Sequence, residues 1–547
     1  MFQQYSVYLK LQTACIIYRN QQLTIMKPFL KTTAFLLIAL MVSACTQKRK
    51  LDLPSTMLTT DYLIPRPLEV KATNASFPLD QYTAITTASD EAMEDVGMFL
   101  AEKIKTTTNL DLAVNPSSLK DFETIINIQL ANDFETDNME AYRLHIAQDE
   151  ITLHAASAAG AFRGIQTIRQ LIPEQSNDEL TDYSIYIIPT GEITDAPQFS
   201  YRSAMLDVVR HFFSVDDVKK YIDILSYYKI NNLHLHLTDD QGWRIEIKSW
   251  PLLTEIGGAT EVGGGEGGFY TQEEYTDIVN YAARRHINIV PEIDMPGHTN
   301  AASLAYPILD GTGKKLEPYT GIKVGFSTFD TRKDTVYAFI DDVIRELAAI
   351  TPGKYIHIGG DESLVTEKED FIYFIDRATK IVEKHGKKMI GWDEVVHADM
   401  NENHTVQYWG RKENAQKGAE KGMMVILSPG EKAYLDMKYD TESMYGLSWA
   451  GYIPVDVAYN WDPETYADIP TENILGIEAP LWTETVSNFD ELSYLAFPRI
   501  IGYAELGWTV KENRNWEDYK TRLANQTPYL NRMDVKYYPS ELIDWKE

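Results

Sequence analysis

The chain has 547 residues, more than a single core ordinarily organises, so two or more domains are expected. Its composition is globular, with 44% hydrophobic and 24% charged residues and no long low-complexity tract. A net charge of −29 leaves no excess of basic side chains for phosphate backbones, which excludes nucleic acid as an expected partner.

The first 45 residues are expected to be removed or modified. Met26-Lys27-Pro28 and Lys31 are basic, Ala34 to Val42 is apolar, and Val42-Ser43-Ala44-Cys45 places small residues before a cysteine. That order is a secretory signal, and its apolar run is too short for a mature membrane span. Residues 1–25 read as upstream of the start at Met26. The last four residues of the signal resemble a bacterial lipobox, which implies a lipid-modified Cys45 anchored in a Gram-negative envelope, periplasm or outer membrane. The alternative is an ordinary signal peptide with a chance cysteine. Cys15 and Cys45 are the only cysteines, so neither disulfide nor cysteine metal site is expected in the fold.

Residues 46–60 are polar and basic and read as a tether. An α+β domain is expected over 61–195. In it, Tyr142–Ile146 and Glu150–Ala155 read as a hairpin around Gln148-Asp149. Ala158–Leu171 reads as a helix with Ala161, Phe162, Ile165, Ile168 and Leu171 on one face.

From 196 to 547 short apolar runs alternate with amphipathic helices. Eight strands are expected: 204–209, 232–237, 287–293, 355–358, 388–391, 405–408, 423–427 and 474–477. Capping signals precede three helices: Ser214 with Asp217, Thr271 with Glu274, and Thr331 with Asp334. The first helix carries Val215, Val218, Tyr221, Ile222 and Leu225 on the face that would cover a sheet. Eight strands alternating with helices over about 300 residues predict an α/β fold of the TIM (β/α)8 type, preceded by the smaller α+β domain. Residues 446–461 read as a long loop over the barrel mouth.

A TIM barrel builds its site at the C-terminal ends of the strands. Those ends carry Asp207 and Arg210, Asp239 and Asp240, Asp294 and His298, Asp361-Glu362, Trp392-Asp393-Glu394, Trp409, Tyr434 and Asp436, and Trp482 and Glu484. Carboxylates and arginine suit sugar hydroxyls, and indole faces suit the C–H face of a sugar ring. The sharpest segment is Tyr355-Ile356-His357-Ile358-Gly359-Gly360-Asp361-Glu362. Adjacent residues of a strand point apart, but two glycines permit a bend that turns both acids toward one ligand. Packed together, two carboxyls separate their pKa values into one base and one proton donor, the division a glycosidase needs.

With those residues in hand, the chain resembles glycoside hydrolase family 20, the β-N-acetylhexosaminidases. The resemblance runs from Ile64-Pro65-Arg66-Pro67 through Leu206–Phe212, Leu235–Arg244, Asp294-Met295-Pro296-Gly297-His298, His357–Glu362 and Gly391–Glu394 to Trp482-Thr483-Glu484. It implies an enzyme acting on terminal β-linked GlcNAc or GalNAc, without metal or other cofactor. Glu362 would be the general acid and base. Asp361 would orient the substrate acetamido group, whose oxygen attacks C1 in place of an enzyme nucleophile. Arg210 would bind the 3- and 4-hydroxyls, and His298, supported by Asp239 and Asp294, would approach Glu362. Trp392, Trp409 and Trp482 would enclose the acetamido methyl, with Tyr434 donating to its carbonyl. Asp436 and Glu484 would hold the 4- and 6-hydroxyls and Trp449 would line the sugar face. Ser363-Leu364-Val365-Thr366 departs from many relatives, which leaves the aglycone preference open.

Three other readings compete. A two-carboxylate retaining glycosidase would need an acid about 5–5.5 Å from Glu362, for which Glu394 and Glu484 are the candidates. A metal-dependent hydrolase would use His234 and His236, although a buried core pair is the expectation there. A glycan-capturing lipoprotein would bind without turnover.

Overall fold

The computed structural model describes residues 51–546 except 132, 133, 135, 136, 178 and 179. The leader and Cys45 lie outside the described residues. From Leu53 onward the chain forms one unit. The expected tether differs in its last part: Met57 bridges Asn74, Thr56 Oγ1 bonds Ser76 Oγ at 2.7 Å, and Leu58 is buried. The apolar Leu58 supplies what a polar tether lacks, a side chain worth burying, while Met57 stays exposed and joins only through its backbone bridge.

A seven-stranded mixed sheet comes first. It comprises β1 (Glu69–Leu79), β2 (Thr83–Thr87), β3 (Ala113–Val114), β4 (Thr124–Leu130), β5 (Tyr142–Ile146), β6 (Glu150–Ala155) and β7 (Tyr186–Asp195), in the order β1-β7-β5-β6-β4-β2-β3. β5 and β6 pair antiparallel as the expected hairpin. Alternate residues Tyr142, Leu144 and Ile146 and their counterparts Ile151, Leu153 and Ala155 are buried, which is the period-two signature of a sheet with one covered face. Two helices cover it, α1 (Glu91–Thr108) and α2 (Ala158–Leu171). Ser157 caps α2 by accepting from the Ala159 and Gly160 amides, and the predicted face of Ala161, Phe162, Ile165, Ile168 and Leu171 is buried.

The rest closes into a barrel of eight parallel strands: β8 (Tyr201–Asp207), β9 (Asn232–His236), β10 (Asn288–Glu292), β11 (Tyr355–His357), β12 (Lys388–Trp392), β13 (Thr405–Tyr408), β14 (Met424–Leu427) and β15 (Ile474–Leu481). All eight expected strands are present, with ends displaced by a few residues. Helix α3 (Val215–Tyr227) begins at a Ser214–Asp217 capping box and buries Val218, Tyr221, Ile222 and Leu225. Each such side chain contributes about 1.5–3 kcal/mol. Helix α4 (Gln272–Ala283) has the expected Thr271–Glu274 box. The third capping signal is corrected: α5 (Asp334–Ile350) starts after Lys333 without a side-chain cap. Thr331 is buried, and its carbonyl accepts the Tyr337 hydroxyl. The loop at 446–461 is irregular except for a short helix, Val455–Tyr459.

Buried ion pairs join the two layers. Lys229 Nζ lies 2.9 Å from Asp195 Oδ2, and Asp195 also accepts from Tyr142 Oη at 2.6 Å and Trp508 Nε1 at 2.8 Å. Arg163 and Arg202 each meet Glu140 at 2.7 Å. Among the described residues no helix is long and apolar enough to cross a membrane.

Candidate active site

The strand ends converge as the topology requires. At the end of β11 the chain turns through three positive-φ residues, Gly359 at 67°, Gly360 at 101° and Glu362 at 43°. A Cβ on Gly359 would fall 1.8 Å from Asp294 Oδ1, so only glycine fits there. The Gly360 amide donates to that same oxygen at 3.2 Å. The bend thus locks onto the end of β10 and turns Asp361 and Glu362 toward one space.

His298 stands behind the pair. Its Nδ1 is 3.0 Å from Asp239 Oδ1, and its Nε2 is 3.8 Å from both Asp361 Oδ2 and Glu362 Oε2. Burial, and then the Asp361 charge, push the Glu362 carboxyl up to about 7. Asp361 is itself raised by burial, with His298 opposing. Burial and the Asp361 charge likewise raise Asp294 well above the usual carboxylate range. One acid of a close pair held protonated near neutrality is the state a proton donor requires.

Arg210 shares the Asp239 carboxylate with His298. It meets Asp239 at 2.8 Å and Asp207 at 3.2 Å, and its guanidinium carbon is 4.9 Å from the Trp482 ring centre. Asp207 also accepts the amides of Val209, Arg210 and Thr483, which fixes the arginine's base.

Aromatic rings line the rest in a continuous series. Trp392 lies 5.8 Å from Trp482, Trp482 6.3 Å from Tyr434, and Tyr434 6.4 Å from Trp409. Trp449 meets Tyr434 edge-on at 5.7 Å. Trp392 is fully buried, whereas Trp449 is 57% exposed, so the series runs from floor to rim. Both Asp436 oxygens, Glu484 Oε2 and Asp361 Oδ1 are buried without a protein hydrogen-bond partner. Acceptors left open in a buried pocket call for a ligand rich in donors.

The other chemistries fare worse at these positions. Glu394 accepts the Trp409 indole N–H at 3.1 Å, and burial with neighbouring Asp393 pushes it up to about 8. It is therefore protonated near neutrality, whereas a nucleophile must be ionised. His234 and His236 form the expected core pair. His234 lies 2.9 Å from Glu478 and 3.1 Å from Glu292, and His236 2.9 Å from Asp239 with its other nitrogen on Glu292. Each ring nitrogen of the pair thus faces a carboxylate, although His234, Glu292 and His357 also bring possible ligand atoms within 4.8 Å of one another. Further sets such as Asp294, His298 and Asp361 bring possible ligand atoms within 4.8 Å of one another, but they coincide with the acid pair and its support.

Comparison with known proteins decides the family. The model of the glycosyl hydrolase family 20 catalytic domain matches residues 199–511, and that of the family's domain 2 matches 60–196. The chain belongs to glycoside hydrolase family 20. A β-N-acetylhexosaminidase of Cellulomonas fimi is 38% identical over 488 residues, covering 88% of this chain and 97% of that protein. A β-hexosaminidase of Porphyromonas gingivalis is 36% identical, over 91% and 67% respectively. The solved family 20 β-N-acetylhexosaminidase of Streptomyces coelicolor A3(2) superposes with a TM-score of 0.85 at 44% identity, covering 90% of this chain and all of that one.

Every site residue from Arg210 to Glu484 falls inside the family 20 catalytic match. Glu292 and Glu478, each at the heart of the histidine cluster, are absent from the sequence-based site. The available signal was an acid adjoining an apolar run, at the end of Asn288–Glu292 and within Ile474–Leu481.

Proposed function

We propose that this chain is an exo-acting, retaining β-N-acetylhexosaminidase that releases terminal β-linked GlcNAc or GalNAc from glycans through substrate assistance. The observation that carries the reading is the Asp361–Glu362 pair on its glycine bend, with Glu362 raised to about 7 and Glu394, a candidate enzyme nucleophile, raised to about 8. In the first step Glu362 gives its proton to the glycosidic oxygen as the C1–O bond breaks and the acetamido oxygen bonds C1. Asp361 accepts the acetamido N–H and offsets the positive charge of the oxazolinium ring. In the second step Glu362 takes a proton from water, whose oxygen attacks C1 and reopens the ring, so two inversions give retention.

Arg210, Asp436 and Glu484 take the sugar hydroxyls, and Trp392, Trp409 and Trp482 enclose the acetamido methyl with Tyr434 on its carbonyl. Trp449 lies along the sugar face. Asp239 and Asp294 support His298. A Streptomyces plicatus β-hexosaminidase 45% identical to this chain has been solved, as a mutant, with its product GlcNAc, which favours the same sugar here. A series of aryl glycosides with increasingly fluorinated N-acetyl groups tests the mechanism. Rates should fall steeply as the amide oxygen loses basicity; a flat series would mean an enzyme nucleophile.

We also infer export and lipid anchoring through Cys45, on the strength of the basic, apolar and small-residue order that precedes it. Membrane association in a Gram-negative envelope follows from that reading. Metabolic palmitate labelling should be lost on Cys45→Ala; label retained in that variant would refute the anchor.

A further inference from the structure

Glu292 has no part in the roles given above, yet two routes into the site begin at its carboxylate. It ends β10 and is fully buried. Its Oε1 accepts the Trp392 indole N–H at 2.8 Å and faces His357 Nδ1 at 3.0 Å. Its Oε2 lies 3.1 Å from His234 Nε2 and also holds His236 Nδ1. The other nitrogen of His236 is 2.9 Å from Asp239 Oδ2. Asp239 in turn binds Arg210 at 2.8 Å and His298 at 3.0 Å.

An ionised carboxylate inside a barrel is costly unless its charge and lone pairs are met, and filling that space needs no charge at all. Burial opposes ionisation here, but the imidazoles of His236, His357 and His234 hold the Glu292 carboxyl well below its usual range. The four contacts use both of its oxygens. One branch ends on the buried floor of the aromatic series and the other behind the proton donor.

We propose that Glu292 is a positioning residue for both halves of the reaction, fixing the indole of Trp392 at the acetamido end and, through His236 and Asp239, fixing His298 behind Glu362. The inference rests on the reading of the site given under Proposed function. It assigns the two halves separate readouts. The Trp392 branch governs discrimination among N-acyl groups. The His236 branch governs proton donation, and so matters more for a poor leaving group than for a good one.

The test uses the enzyme as Glu292→Gln, Glu292→Asp and His236→Asn, with active sites counted by titration with a thiazoline mimic of the oxazoline. For each variant, kcat/KM is measured on N-acetyl and N-butyryl aryl glycosides and on a GlcNAc disaccharide. Per titrated site, Glu292→Gln should shrink the N-acetyl over N-butyryl preference and widen the aryl over disaccharide ratio, each by about ten-fold, as expected for a misplacement of under 1 Å. Glu292→Asp should recover part of both. His236→Asn cuts one branch and loses an edge-on contact with Trp482 at 4.9 Å, so it should widen the leaving-group ratio more than it shrinks the N-acyl preference, and it keeps the inference testable if Glu292→Gln does not fold. Wild-type ratios in the titrated variants, or equal loss on every substrate, would overturn the proposal. A parent enzyme that hydrolyses the plain aryl glucoside as fast as the N-acetyl substrate would instead sink the function proposed above.

Discussion

In the proposed mechanism Glu362 and Asp361 carry the chemistry, and each has a distinct expected signature. Glu362→Gln should lower kcat on disaccharides by about 10²–10⁴-fold with an unchanged circular dichroism spectrum. Loss of under three-fold would exclude it as the proton donor. Asp361→Asn should cripple turnover of N-acetylated substrates to a similar degree, because its open acceptor would be replaced in part by a donor. Near-normal turnover would count against substrate assistance.

The pH dependence follows from the raised Glu362 carboxyl. The donor is protonated below about 7 and ionised above it, so kcat/KM should fall as pH rises through about 7, well above an ordinary glutamate. The sign for stability is the same: a pKa higher in the folded state than in the unfolded chain means stability present below about 4.5 and lost as pH climbs to about 7. Because the side chain is 33% exposed, the loss is on the order of 1–2 kcal/mol after screening. Thermal unfolding of Glu362→Gln at pH 8 should therefore come later than that of the parent; an earlier transition would contradict the assignment.

The acid pair was legible in the sequence because two glycines before two acids at a strand end leave few alternatives. Glu292 and Glu478 were not, since one acid in a strand announces a buried charge without naming its partners; those of Glu292 (His234, His236, His357 and Trp392) and of Glu478 (Tyr201, His234 and Gln407) come from five different strands. Thr331 misled for a different reason: the helix starts at Asp334 after Lys333, so Thr331 lies ahead of the cap position that its pattern suggested.

At the scale of elements, the eight barrel strands were found from short apolar runs, since strands buried on both faces need no alternation. Their ends were less certain, as with β15, which continues to Leu481 rather than stopping at Ile477. Parallel pairing with β8 up to Leu481–Leu206 carries β15 on to the mouth, where Trp482 and Glu484 follow. The glycine bend after β11 is the element on which the site depends most. Gly359→Ala meets both a φ of 67° and the Asp294 contact. It should cost about 1–3 kcal/mol of stability and, by moving Asp361 and Glu362, at least about 10²-fold in kcat/KM. Denaturant titration and kinetics on the same preparation check both, and wild-type kinetics in a destabilised variant would show that the bend does not place the acids.

For the whole molecule, the domain boundary was visible as a change of pattern near 195, but the ion pairs that join the layers were not. Lys229, Asp195 and Glu140 lie far apart in sequence, and only the folded chain brings them together. Lys229→Ala would leave Asp195 buried without its countercharge, so unfolding should be easier by about 3–5 kcal/mol. A loss below about 1 kcal/mol would mean that the Tyr142 and Trp508 donors alone satisfy that carboxylate.

The central claim concerns which sugar the assembled site turns over and by what nucleophile. The most direct measurement compares release of p-nitrophenol from the β-GlcNAc, β-GalNAc and β-glucoside substrates by protein lacking residues 1–45, with and without the thiazoline mimic. Turnover confined to the N-acetylated sugars and blocked by the mimic is the predicted result. Comparable hydrolysis of the plain glucoside, or N-acetyl turnover indifferent to the mimic, would contradict it.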